Sequence, residues 1–216
     1  MLPWLALAVL AVALVAQLLP GGGEPVRSGV EQPLITSISP PSGHRFLSKV
    51  SFALSPDGAR LAFAAISVEG KRQLWIRPLD TLYASPLVEI DGEAWPFWSP
   101  DGRSLGFFSH GSVRTLDMGG GATQTLCPAT NFRGGAWSSR DTIVFAAEGG
   151  IWHTAASGGG CELLIPDTLN SLGGRPSFLT GGIRFLYTRN SSRTLEVGDL
   201  RSGSSQAVIS WDPIPS

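Results

Sequence analysis

The stretch Phe97–Ser109, FWSPDGRSLGFFS, decides the fold, and it admits two readings. Gly102-Arg103-Ser104-Leu105-Gly106 spells G-x-S-x-G, the pattern of a hydrolase nucleophile elbow, in which the serine sits on a sharp turn joining a strand to a helix. Ser99-Pro100-Asp101-Gly102 instead spells a tight turn between two strands. There, Pro presets φ near −65° at the first central position and Asp suits the second. Gly then accepts the left-handed conformation that leads into the next strand.

The rest of the chain favours the turn. FALSPDGARLAFAA begins at Phe52, AWSSRDTIVFAA at Ala136 and SFLTGGIRFLYTR at Ser177, so the stretch is one of four copies of a unit. Ser55 and Ser99 lie 44 residues apart, and Ser99 and Ser138 lie 39 apart. Aligned on the turn, Ser104 falls opposite Arg60, inside a strand that starts directly after a hairpin, and is therefore expected to be a strand residue and not a nucleophile. Each copy is followed by two more strand-like runs. QLWIRPLD, SVRTLDMGG, GIWHTAASGG and TLEVGDLRSG come first; PLVEI, TQTLC, CELLI and QAVI follow. Gly119–Gly121 and Gly158–Gly160 supply turns between the third and fourth strands of their units. Four short antiparallel strands per period of roughly 40–45 residues predict an all-β fold, a β-propeller of about four four-stranded blades. One blade cannot bury both of its faces, so Leu105/Phe107 and Ile143/Phe145 are expected to pack against neighbouring blades.

Ahead of the repeats, residues 1–19 (MLPWLALAVLAVALVAQLL) carry no ionisable side chain and would span a roughly 30 Å hydrocarbon core as a helix. The first basic residue is Arg27, so the basic n-region of a signal peptide is missing, and the segment reads as a transmembrane anchor with a cleaved signal peptide as the rival reading. Residues 20–33 form a Gly/Pro-rich linker, and residues 34–216 are assigned to the propeller.

The formal net charge is −1, with 16 basic residues scattered among 17 acidic ones, which argues against a nucleic-acid partner. No segment matches G-x-G-x-x-G or a P-loop, and no cofactor is expected. His44, His110 and His153 are read as lying in a loop, near a strand end and in a strand, without metal-binding spacing, so no metal site is expected. Asp57 and Asp101 occupy the same turn in successive units and are read as turn residues. Asp141 stands one step out of register with them. Cys127 and Cys161 permit one disulfide but are read as two buried thiols acting as small hydrophobes. Trp75, Trp98, Trp137 and Trp152 are read as wedges between blades, and Trp95, where a loop meets a strand, also as a ligand-stacking candidate.

The repeats resemble the WD-like units of TolB-type β-propellers. More narrowly, RQLWIRPLD, AWPFWSPDGRSLGFF and TQTLC resemble the extracytoplasmic propellers that follow the transmembrane helix of bacterial receptor-type serine/threonine kinases. The resemblance covers about residues 34 to 209 and implies a binding or sensory propeller on the periplasmic side, with a cytoplasmic kinase domain in a full-length parent. No V-A-I-K lysine, H-R-D or D-F-G stands in this chain, so no kinase activity is assigned to it and no catalytic residue is expected. Only four units fit between Phe52 and Ile209, and Pro33–Ser39 (PLITSIS) resembles a strand of a blade that is otherwise missing. The ring is therefore expected to be incomplete and the chain to be a fragment or short form. The main expectation is a membrane-tethered, non-catalytic sensory module for an unidentified protein or small-molecule ligand. The alternatives are a periplasmic TolB-type scaffold for envelope proteins and the propeller accessory domain of a hydrolase or peptidase.

Overall fold

The computed structural model describes residues 37–47, 52–167, 172–190 and 192–211. The chain divides into two units, Met1–Ile38 and Ser39–Ser216, and nearly all the described residues belong to the second. That unit is all-β. Its first sheet holds β1 (His44–Phe46), β2 (Phe52–Leu54), β3 (Arg60–Ser67), β4 (Arg72–Pro78) and β5 (Ser85–Glu89). The second holds β6 (Phe97–Trp98), β7 (Ser104–Ser109), β8 (Ser112–Asp117) and β9 (Gln124–Pro128). The third runs β10 (Gly135–Trp137), β11 (Thr142–Ala147), β12 (Gly150–Ala155) and β13 (Glu162–Pro166), and the fourth β14 (Leu172–Phe178), β15 (Arg184–Arg189), β16 (Thr194–Asp199) and β17 (Ser205–Ser210). All pairings are antiparallel and, apart from that of β1 with β3, join neighbours in sequence, the connectivity of propeller blades. β1 and β2 both pair with β3, along the same edge, so the innermost strand of the first blade is split in two.

The hairpin between the first two strands of each blade is built alike. A glycine takes the left-handed position in three copies, Gly58 (φ 71°), Gly102 (φ 69°) and Gly182 (φ 64°). In the shorter third copy Asp141 takes it at φ 56°, so Asp141 fills the glycine's place and not that of Asp57. Ser99 Oγ donates to Asp101 Oδ1 (2.6 Å) and accepts from Ser104 N (2.8 Å), and Ser55, Asp57 and Arg60 N repeat this arrangement. The serine hydroxyl and then a backbone N–H hold both carboxyls below the usual aspartate range.

The blades stack in chain order through repeated positions. Leu105 and Phe107 pack against Ala62, Ala64 and Leu74 of the first sheet; Ile143 and Phe145 pack against Val113 and Phe97 of the second. Phe185 and Tyr187 pack against Val144 and Ala146 of the third. The expected inter-blade role of Leu105/Phe107 and Ile143/Phe145 is thus met. At the first and third of these interfaces the large side chains meet alanines of the preceding blade, Ala62 and Ala64, and Ala146. A polar tie accompanies each contact. Asp91 accepts from Ser109 Oγ (2.9 Å) and His110 N (2.7 Å), Thr130 Oγ1 donates to Glu148 (2.9 Å), and Arg189 donates to Asp167 (3.1 Å). The arc is not closed into a ring. The far face of the fourth sheet carries half-buried Leu186, Leu195 and Val197, and Ile209 beside them is 55% exposed.

Two readings are corrected. Cys127, at the end of β9, and Cys161, before β13, form a disulfide with Cα atoms 6.0 Å apart. Blade stacking brings the outer strands of neighbouring sheets together, a proximity that spacing along the chain does not reveal. His44 lies in β1 and not in a loop, because the split inner strand extends the ladder to Ser67, and its ring meets Trp75 edge-on at 4.9 Å. The proposed anchor 1–19, the linker 20–33 and the first part of Pro33–Ser39 lie outside the described residues, and no described helix is long and apolar enough to cross a membrane.

Candidate functional site: the axial groove

The innermost strands β2, β6, β10 and β14 are each paired on one side only, with β3, β7, β11 and β15. Their other edges converge on a groove of about 620 Å³ along the axis of the arc. Its walls come from all four blades, through Leu54, Trp98, Trp137 and Phe178 at one repeated position, with Pro96 and Pro176 beside them. Among the described residues no carboxylate and no cation lines it. A groove that is uncharged among the described residues, open and flanked by unpaired strand edges suits binding by shape and backbone contact.

At the start of the inner strands the groove continues into a second cavity of about 360 Å³, sharing Pro96, Gly135 and Pro176 with it. Phe52, Trp95, Gly134 and Arg175 complete its lining. Aligned on the hairpin turns, Trp95, Gly134 and Arg175 are the same position in the second, third and fourth blades. All three have positive φ, at 46°, 112° and 58°. Glycine takes this conformation at no steric cost, whereas Trp and Arg are strained in it, and the proline that follows each of them favours extended backbone besides. The Arg175 guanidinium lies over the Trp95 ring, 5.9 Å from its centroid. Among the described residues it forms no salt bridge. A Cβ on Gly134 would stand 3.3 Å from the Arg175 backbone, so glycine at this position lets the third and fourth blades approach closely at the mouth.

The G-x-S-x-G stretch belongs to the scaffold. Gly102 supplies the turn's positive φ, and a Cβ on Gly106 would fall 2.1 Å from the Phe97 ring that pairs across from it. Ser104 opens β7, in no strand-to-helix turn. A second constellation, Ser109, His110 and Asp91, has the composition of a hydrolytic triad but not its geometry. Both the carboxylate and the imidazole Nδ1 (2.8 Å) contact the serine, and Ser109 is fully buried. With the hydroxyl proton given to Asp91, the network assigns Nδ1–H to the histidine, which donates to Ser109 instead of accepting from it. The group ties the first blade to the second. The histidines, spread over β1, the β7–β8 turn and β12, do not converge, and no cluster of three metal-ligating side chains occurs among the described residues. Trp98 is a buried wedge between the first two blades as expected, Trp75 is buried against His44 of its own sheet, and Trp95 is partly exposed at the groove mouth. The part of Arg175 and Gly134 in that mouth escapes a motif search. Aligning the last three copies two positions further towards the N-terminus, where Trp-Pro, Gly-Gly and Arg-Pro stand opposite one another, would have revealed it.

No protein-family model and no curated protein matches the chain. Solved structures do. TolB from Acinetobacter baumannii aligns with 73% of this chain at 16% identity and a TM-score of 0.59, the match spanning 42% of its own length. A candidate TolB from Agrobacterium tumefaciens aligns with 73% at 17% identity and a TM-score of 0.61, over 63% of its length. An auxiliary nutrient binding protein from Bacteroides thetaiotaomicron aligns with 75% at 12% identity and a TM-score of 0.59, over 42% of its length. The chain thus matches less than two thirds of each of these structures. At such identities the likeness establishes the fold, an unclosed four-bladed arc of the TolB-like β-propeller kind.

Proposed function

We propose that this chain is a non-catalytic binding scaffold of the TolB-like type, working outside the cytoplasm and taking a protein or small-molecule ligand in its axial groove. The observation that carries the reading is the convergence of four inner-strand edges on one open groove walled by Leu54, Trp98, Trp137 and Phe178, with a strained Trp95/Arg175 pair at its mouth. Strain retained in one backbone position of a repeat, at the rim of a cavity, points to use. The Cys127–Cys161 disulfide supports an oxidising, extracytoplasmic compartment. A narrower version, a membrane-tethered sensor coupled to a kinase, is supported by the uncharged stretch 1–19 and by the resemblance of the repeats to kinase-linked propellers. The solved relatives favour the scaffold, since TolB and a nutrient binding protein share its fold. The test is a thermal-shift panel on the full chain in mild detergent, with short peptides, nucleoside monophosphates and oligosaccharides as probes. A saturable rise in the melting midpoint with one class, lost on Trp98→Arg in the groove wall, is the expected result. No shift with any class, in protein that melts cooperatively, rejects groove binding.

A further inference from the structure

The rim of the groove points to a ligand chemistry, an inference that rests on the groove being the binding site. We infer that the Trp95/Arg175 cavity captures the C-terminal carboxylate of an extended peptide segment whose last side chain is apolar or aromatic. Among the described residues Arg175 is the one cation in the cavity lining, and no carboxylate shares it. A guanidinium matches a monoanionic carboxylate through two parallel hydrogen bonds, whereas a phosphate dianion would keep a charge that nothing else in this lining offsets. Pro96 and Pro176 have no N–H to give, so the lining lacks the backbone nest of a phosphate site. Beside the guanidinium, the face of Trp95 and the 39%-exposed ring of Phe52 offer two aromatic surfaces for an apolar side chain.

The peptide assignment comes from what lies behind the cavity. The cavity shares Pro96, Gly135 and Pro176 with the axial groove, where, beyond the bond from Arg175 N to Arg133 O (3.0 Å), β10 and β14 present edges with no strand partner among the described residues. An extended chain can satisfy such edges through its own backbone, which a small free acid cannot. The strain fits the same use. Trp95 and Arg175 hold left-handed backbone where the third blade has Gly134, so substituting glycine at either position relaxes the fold while removing the contact.

The experiment is fluorescence anisotropy on the full chain with fluorescein-labelled GSGAVF as the free acid and as the C-terminal amide. The free acid is expected to bind at least tenfold more tightly than the amide. Arg175→Gly should erase that preference with an unchanged or raised melting midpoint, and Arg175→Lys should retain part of it. Trp95→Gly should weaken acid and amide alike. Equal affinity for acid and amide, or a preference untouched by Arg175→Gly, overturns the inference while leaving groove binding intact. Binding of benzoate or a nucleoside monophosphate in place of both peptides overturns the peptide assignment. Failure of every probe in the wider panel rejects the groove itself.

Discussion

Cys127 and Cys161 join the outer strands of the second and third blades across a separation of 34 residues. The link closes a loop that contains most of the third blade, and a cross-link of this span restricts the unfolded chain most. Replacing both cysteines by serine is expected to lower stability by about 2–4 kcal/mol. Urea unfolding with and without dithiothreitol measures it: reductant should reproduce the loss in the native sequence and leave the double variant unchanged.

The Phe97 ring covers Gly106 within its own blade and Gly135 on the next, with Cβ positions 2.1 and 2.7 Å from ring atoms. Gly106→Ala should therefore cost about 1–3 kcal/mol through overpacking. Ser104→Ala, at the centre of the same G-x-S-x-G stretch, should stay within about 0.5 kcal/mol, because its side chain accepts and donates nothing among the described residues. Chemical denaturation of the two variants measures both.

Arg60 donates to Gly102 O (2.7 Å) and lies 4.8 Å over Trp98, joining the hairpin turns of the first two blades. Arg60→Ala should remove about 1–2 kcal/mol, from one hydrogen bond and one cation–π contact. Arg60→Lys keeps the charge and should lose less. Hydrogen exchange should report the loss at β2 and β6 before it reaches β14.

Acid should loosen the blade ties. The Asp91 carboxyl is held below the usual range by the His110 N–H, with burial opposing and the Ser109 hydroxyl assisting. Burial would raise the Glu196 carboxyl, but hydrogen bonds from Arg189 and Tyr187 outweigh it and bring it down. Both groups bind protons more weakly folded than unfolded. Their contribution is complete above the unfolded carboxylate range, about pH 4–5, and is lost as pH falls through the lower folded values. The melting midpoint should be flat from pH 7 to 5 and drop below 4. Asp91→Asn should flatten that drop.

The repeat period, the serine-headed turns and the apolar pairs that face neighbouring blades were legible in the chain. Each is a local pattern: Ser99-Pro100-Asp101-Gly102 carries its own turn chemistry, and Leu105/Phe107 alternate on one strand. What was not legible depends on contacts between blades. The disulfide needed β9 and the start of β13 to stack side by side, and His44 needed the ladder of β3 to run on to Ser67. The rim site needed three positions, far apart in the chain, to be seen as one slot with one backbone conformation.

That slot has an evolutionary consequence. Because Trp95 and Arg175 hold a positive φ at one repeated position of the blades, their side chains can be exchanged without altering the hairpin turns that follow. The mouth of the groove behaves as a short word spelled one letter per blade. New specificities can arise by respelling it, while the architecture that displays the letters is inherited whole.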